Sequence, residues 1–135
     1  MLLDAVSSFG AEAIDPDGWN LAALAGTANK CLHSAPGACF VLARTERLER
    51  GRTNAASVYL DLFRYYREQQ ASGYSPFTPA VNSVFALAEA LAELADQGGW
   101  QGRRETYLDR SGRIAATCSR TARAGQPDHD HGASE

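Results

Sequence analysis

The chain has 135 residues, of which 44% are hydrophobic and 21% charged, the size and make-up of one ordinary globular domain with a modest core. A formal net charge of -3 and a pI near 5.6 give no electrostatic footprint for nucleic acid or an anionic membrane, and no apolar run approaches the length that spans a bilayer. Cys31, Cys39 and Cys118 lack metal-ligand spacing, and Met1-Leu2-Leu3 is cut by Asp4 without a basic leader, so the expectation is a cytoplasmic protein with reduced thiols.

Residues 1–6 read as a short buried strand ending in the small-residue turn Ser7-Ser8-Phe9-Gly10. Asp4 lies inside it, and a carboxylate there either needs a partner or marks an exposed edge. The turn Asp15-Pro16-Asp17-Gly18 leads into a second expected strand over residues 19–25, stopping at Gly26-Thr27. Pro36-Gly37 introduces the apolar run 38–43, whose lack of alternation fits a strand covered on both faces.

The charged segment 44–52 predicts one or two exposed helical turns. Residues 54–70 carry Val58, Tyr59, Leu62, Phe63 and Tyr66 at helical spacing, with the start open to either extended or helical form and Gly73 closing the helix. Tyr65, Tyr66 and Tyr74 read as packing residues. Thr78-Pro79 predicts the start of the clearest helix, with Val81, Val84, Phe85, Ala88, Leu91 and Ala95 on one stripe and Gly98-Gly99 as the stop. Thr78 is expected to be its N-cap; the alternative is a hydroxyl that helps hold a phosphate. An Arg-rich helix is expected over residues 100–113, then a disordered tail over residues 114–135. In that tail Asp128-His129-Asp130-His131 reads as solvated rather than as a metal site.

Lys30 stands out because every other positive side chain, twelve in all, is arginine. A primary amine can lose its proton and condense with an aldehyde, whereas a guanidinium cannot. Placed in the loop just past a strand end, where sites of open α/β sheets gather, Lys30 is the first candidate for a covalent cofactor link.

Asp4-Ala5-Val6-Ser7-Ser8-Phe9-Gly10, then Ala28-Asn29-Lys30-Cys31 with Pro36-Gly37 and an apolar strand, then Phe77-Thr78-Pro79 resemble the class V pyridoxal-phosphate aminotransferases. The likeness runs in the family's order from Met1 to about Arg113, and is greatest to the branch acting on 2-aminoethylphosphonate and pyruvate. It implies an α/β fold, the partial large domain of a fold-type-I transferase, with mixed or parallel strands flanked by helices. Residues 1–113 would be its central part, without the upstream phosphate-cradling loop or the downstream small domain. The resemblance implies pyridoxal 5'-phosphate as cofactor and assigns roles residue by residue. Lys30 would bind the cofactor aldehyde covalently and then shuttle the substrate proton; Asp4 would keep the pyridine nitrogen protonated; Val6 would pack beneath the ring. Thr27 would lie near the phosphate. Thr78 would reach the phosphate of a neighbouring subunit, implying a homodimer. Ser34 replaces a usual family glycine. Two alternatives remain: an inactive fragment, or a class V relative for another amine or amino acid.

Overall fold

Three strands form one mixed sheet in the computed structural model, which describes residues 1–53 and 55–124. β1 (Leu2–Asp4) runs parallel to β2 (Ala23–Thr27), and β2 pairs antiparallel with β3 (Cys39–Ala43), leaving β2 central. The helices among the described residues are α1 (Thr45–Glu49), α2 (Leu62–Ser72), α3 (Val81–Asp96) and α4 (Gly99–Ala124). The chain divides into two compact units, Met1–Arg103 and the residues from Arg104 onward, and α4 spans the division. This α/β arrangement agrees with the fold class expected from sequence.

Strand register sorts the side chains onto two faces. Leu3, Leu24 and Leu42 align on one face, where Gly26 opposes Phe40; Asp4, Ala25 and Val41 align on the other. The first face carries the core. Leu24 and Gly26 are buried, and Phe9 meets Phe40 edge-on at 5.0 Å. A Cβ at Gly26 would fall 2.5 Å from the Phe40 ring, so any side chain there would have to displace the ring. The second face is open: Leu2 is 77% exposed, and Val41 is exposed as well.

Two expectations are corrected here. Residues 1–6 do not form a buried strand, because β1 is a three-residue edge strand whose alternate side chains face outward. The 38–43 run is not covered on both faces. An apolar run favours a strand, but Val41 on the open face and Leu42 at the margin of the core face both remain exposed. The second strand also starts later than expected. Asn20 adopts a left-handed backbone (φ 47), and Trp19 and Leu21 N–H groups donate back to Asp15 and Pro16 carbonyls, so residues 19–21 close a turn. Arg44 clamps that turn, donating from Nε to the Leu21 carbonyl at 2.7 Å and from its terminal nitrogen to Asp17 at 2.7 Å.

α1 is the exposed turn expected from its charges. α2 starts at Leu62 because the Asp61 carboxylate accepts the Arg64 N–H at 3.1 Å, and it ends at left-handed Gly73. α3 begins at Val81 with Ala80 as N-cap and no capping side chain, which corrects the expected N-cap role of Thr78. Proline disfavours helical backbone in the residue before it, and Thr78 lies two residues short of the cap, beyond reach of the first helical donors. Gly98 and Gly99, at φ 85 and 71, turn the chain between α3 and α4.

In the second unit α4 continues to Ala124, so residues 114–124 are helical where a disordered tail was expected. Local bonds support that helix. Arg113 pairs with Asp109 at 3.7 Å, and the Thr117 and Thr121 hydroxyls donate to carbonyls one turn back. Asp128-His129-Asp130-His131 lies outside the described residues.

Candidate active site

The carboxyl ends of the parallel pair β1 and β2 place two loops next to each other. Asp4 is the last residue of β1, and its register partner Ala25 lies two residues before the end of β2. Asp4 is exposed, matching the edge alternative rather than a buried charge. Its Oδ1 accepts the Val6 N–H at 3.0 Å. Asp4, Ala25 and Thr27 belong to the open face by strand alternation, and Val6 lies in the turn just past the end of β1. Val6 is itself partly exposed there.

Lys30 sits in the loop that leaves β2, exposed at its tip. The loop beneath it is held at many points. Ala28 is fully buried, and its N–H donates to the Ala38 carbonyl at 3.1 Å. The Ser34 N–H donates to Ala28 and the His33 N–H to Lys30, closing the loop on itself with His33 in the left-handed region (φ 62). Leu32 is 1% exposed and packs against Gly10, where a Cβ would fall 2.8 Å from Leu32 Cδ2. The Cys31 thiol donates to the Ser7 carbonyl at 3.1 Å, joining the lysine loop to the loop after Asp4. Among the described residues Lys30 Nζ and the second Asp4 oxygen have no partner.

Thr27 does not point a free hydroxyl outward: Oγ1 bonds to Asn29 Oδ1 at 3.0 Å and the Ala38 carbonyl at 3.1 Å. Those bonds fix the strand end from which Lys30 departs. Thr78 is exposed, two residues before the α3 N-cap. The two clearest cavities, of about 360 and 210 Å³, lie elsewhere. One is lined by Thr53, Asp61, Arg64 and Arg67, the other by Leu21, Leu24, Leu42 and Arg44, and neither includes Asp4 or Lys30. Tyr65 packs with Tyr59 and Phe77, at ring distances of 6.4 and 5.6 Å. Desolvation and Tyr59 raise its phenol above the ordinary value.

Sequence reasoning missed Arg103, which donates to the Cys31 carbonyl across 72 positions at 2.7 Å. Its only sequence signal is its place just after the glycines at 98, 99 and 102.

No family profile matches the chain. Among solved structures it superposes on an alanine–glyoxylate aminotransferase from Nostoc sp. with a TM-score of 0.70 at 27% identity, covering 84% of this chain and 30% of that one. It also superposes on an aspartate aminotransferase of subgroup IV from Thermus thermophilus, with a TM-score of 0.61 at 32% identity, covering 71% and 27%. The fold is therefore part of a fold-type-I pyridoxal-phosphate-dependent transferase. In sequence the chain is 37% identical over 108 residues to the 2-aminoethylphosphonate–pyruvate transaminase of Lysinibacillus sphaericus, covering 80% of this chain and 30% of the relative. It is 36% identical over 116 residues to the enzyme of the same name from Klebsiella pneumoniae, covering 85% and 32%. The chain belongs, as a partial chain, to the class V pyridoxal-phosphate aminotransferase family, and its similarity within that family is to these transaminases. It spans about three tenths of their length. No helix among the described residues is long and apolar enough to cross a membrane.

Proposed function

We propose that the chain carries the lysine-bearing half of a transaminase site that moves the amino group of 2-aminoethylphosphonate to pyruvate, giving phosphonoacetaldehyde and alanine. The observation that carries this reading is the single lysine, Lys30, exposed on a pinned loop that leaves β2, with Asp4, one of its carboxylate oxygens unpaired among the described residues, at the end of the adjacent strand β1. The residues fit pyridoxal phosphate: a carboxylate oxygen is left open on a sheet face kept low by Ala25, and an unpaired amine stands at the neighbouring loop tip. When bound, that cofactor supplies an aldehyde for amine condensation and an electron-withdrawing ring. Lys30 Nζ would be the amine that holds this cofactor covalently, and it would also be the base that moves the proton of the donor carbon. Asp4 would hold the ring nitrogen protonated, and Val6, in the turn after it, would pack against the ring. Thr27 and Thr78 are the proposed phosphate contacts, Thr78 toward the cofactor of a partner copy in a homodimer. Residues 1–113 act as the central part of the large domain. The free thiols of Cys31, Cys39 and Cys118 suit a reducing cytoplasm.

A second reading is an inactive fragment without catalysis, and what supports it is that the two cavities described above are lined by residues other than Asp4 and Lys30. On that reading the chain binds cofactor without turnover. The test is incubation with pyridoxal phosphate, 2-aminoethylphosphonate and pyruvate, followed for alanine. Alanine that disappears in Lys30→Ala supports transamination. Turnover with serine or with glyoxylate, and none with 2-aminoethylphosphonate, would sink the substrate assignment. Covalent labelling at Lys30 without any turnover would favour the second reading.

A further inference from the structure

We propose that Arg103 is a positioning residue for Lys30, acting through the carbonyl of Cys31. The proposal rests on the reading of Lys30 as the cofactor lysine. Arg103 is 2% exposed, and no carboxylate among the described residues pairs with it. Burying a guanidinium without a counter-charge is costly, and here the charge is met by two neutral acceptors. One terminal nitrogen donates to the Cys31 carbonyl at 2.7 Å, the other to Gln97 Oε1 at 2.7 Å, while Nε is buried without a partner. Charge-assisted bonds of this length are among the stronger contacts a backbone carbonyl makes.

The glycine pattern explains how the guanidinium reaches that place. Left-handed Gly98 and Gly99 reverse the chain after Gln97, and Gly102 passes so close to Gln97 that a Cβ would meet its carbonyl. Gln97 and Arg103 are thereby brought side by side, with Gln97 orienting the fork that holds Cys31. Cys31 follows Lys30 directly, and its thiol is tied to Ser7. The clamp thus fixes the peptide on the carboxyl side of Lys30 without touching the amine, which leaves Nζ free while limiting where its stem can start. Removing an orientation constraint of this kind lowers the effective concentration of the amine at its target.

The test compares wild type, Arg103→Met, Arg103→Lys and Gln97→Leu by two readouts. One is amide hydrogen exchange over residues 28–34 against β2; the other is the rate at which pyridoxal phosphate and borohydride label Lys30. Arg103→Met is expected to speed loop exchange by about tenfold, with β2 within about twofold, and to slow labelling by about tenfold. Gln97→Leu should fall between, at about threefold, and Arg103→Lys should recover part of both. Wild-type values in Arg103→Met overturn the proposal, as does equal acceleration in loop and strand, which marks a merely structural contact. If Arg103→Met does not fold, Gln97→Leu decides: selective loosening of the loop supports the clamp, and wild-type behaviour overturns it. An unlabelled Lys30 in wild type would defeat the functional reading, while the exchange readout still decides whether Arg103 holds the loop.

Discussion

In the loop of residues 28–34, a buried alanine, a buried leucine, two returning N–H groups, a thiol and a guanidinium all converge beneath one exposed amine. On the outward face of the same sheet, Leu2 and Val41 are exposed to solvent. The loop draws on contacts close in sequence together with three from farther off, Ser7, Gly10 and Arg103. The face would need a whole further layer. A site can therefore hold its local geometry while the sheet that carries it remains half covered, and the two regions should respond differently to substitution.

The largest effect is expected at the anchor of the loop. Leu32→Ala removes a side chain that is 1% exposed and should cost about 3 kcal/mol by urea unfolding, since buried leucine truncations leave cavities. A loss below about 1 kcal/mol would show that the loop is not anchored there. Gly26→Val tests the covered face. Its side chain would meet the Phe40 ring, and overpacking of this kind costs about 1–3 kcal/mol. Asp61→Ala should cost about 1 kcal/mol through loss of the α2 cap, whereas Thr78→Val should change stability by less than about 0.5 kcal/mol. An equal loss at Thr78 would restore it as the cap of α3. The smallest effect belongs to the open face: Leu2→Thr with Val41→Thr should leave unfolding within about 0.5 kcal/mol and reduce self-association in sedimentation. A larger destabilisation would mean that this face is covered after all.

Sequence alone made part of this legible. Lys30 stood out by chemistry, since no other amine side chain exists in the chain, and Asp4 by its place in an apolar strand. The strand cores, α2 with its closing Gly73, and the stop at Gly98-Gly99 follow local pattern and turn chemistry. Exposure of β1 and β3 was not legible, because an apolar run favours extended backbone whether or not anything packs on it. The α3 start was misplaced because Thr-Pro satisfies the cap rule locally while the backbone at Ala80 sets the actual boundary. Arg103 was invisible because its partner lies 72 positions away, and an arginine in a helix reads as a solvated charge until the fold places it.

The central claim is that the pinned loop presents Lys30 for covalent capture beside Asp4. It is tested most directly by mixing the protein with pyridoxal phosphate, reducing with borohydride and mapping the labelled peptide, with Lys30→Ala and Asp4→Asn alongside. The account predicts a visible absorbance band before reduction, label on Lys30, none in Lys30→Ala, and a shifted band in Asp4→Asn, whose amide cannot hold the ring nitrogen protonated in the same way. Label confined to the chain's amino terminus, with an identical spectrum in Lys30→Ala, would contradict it.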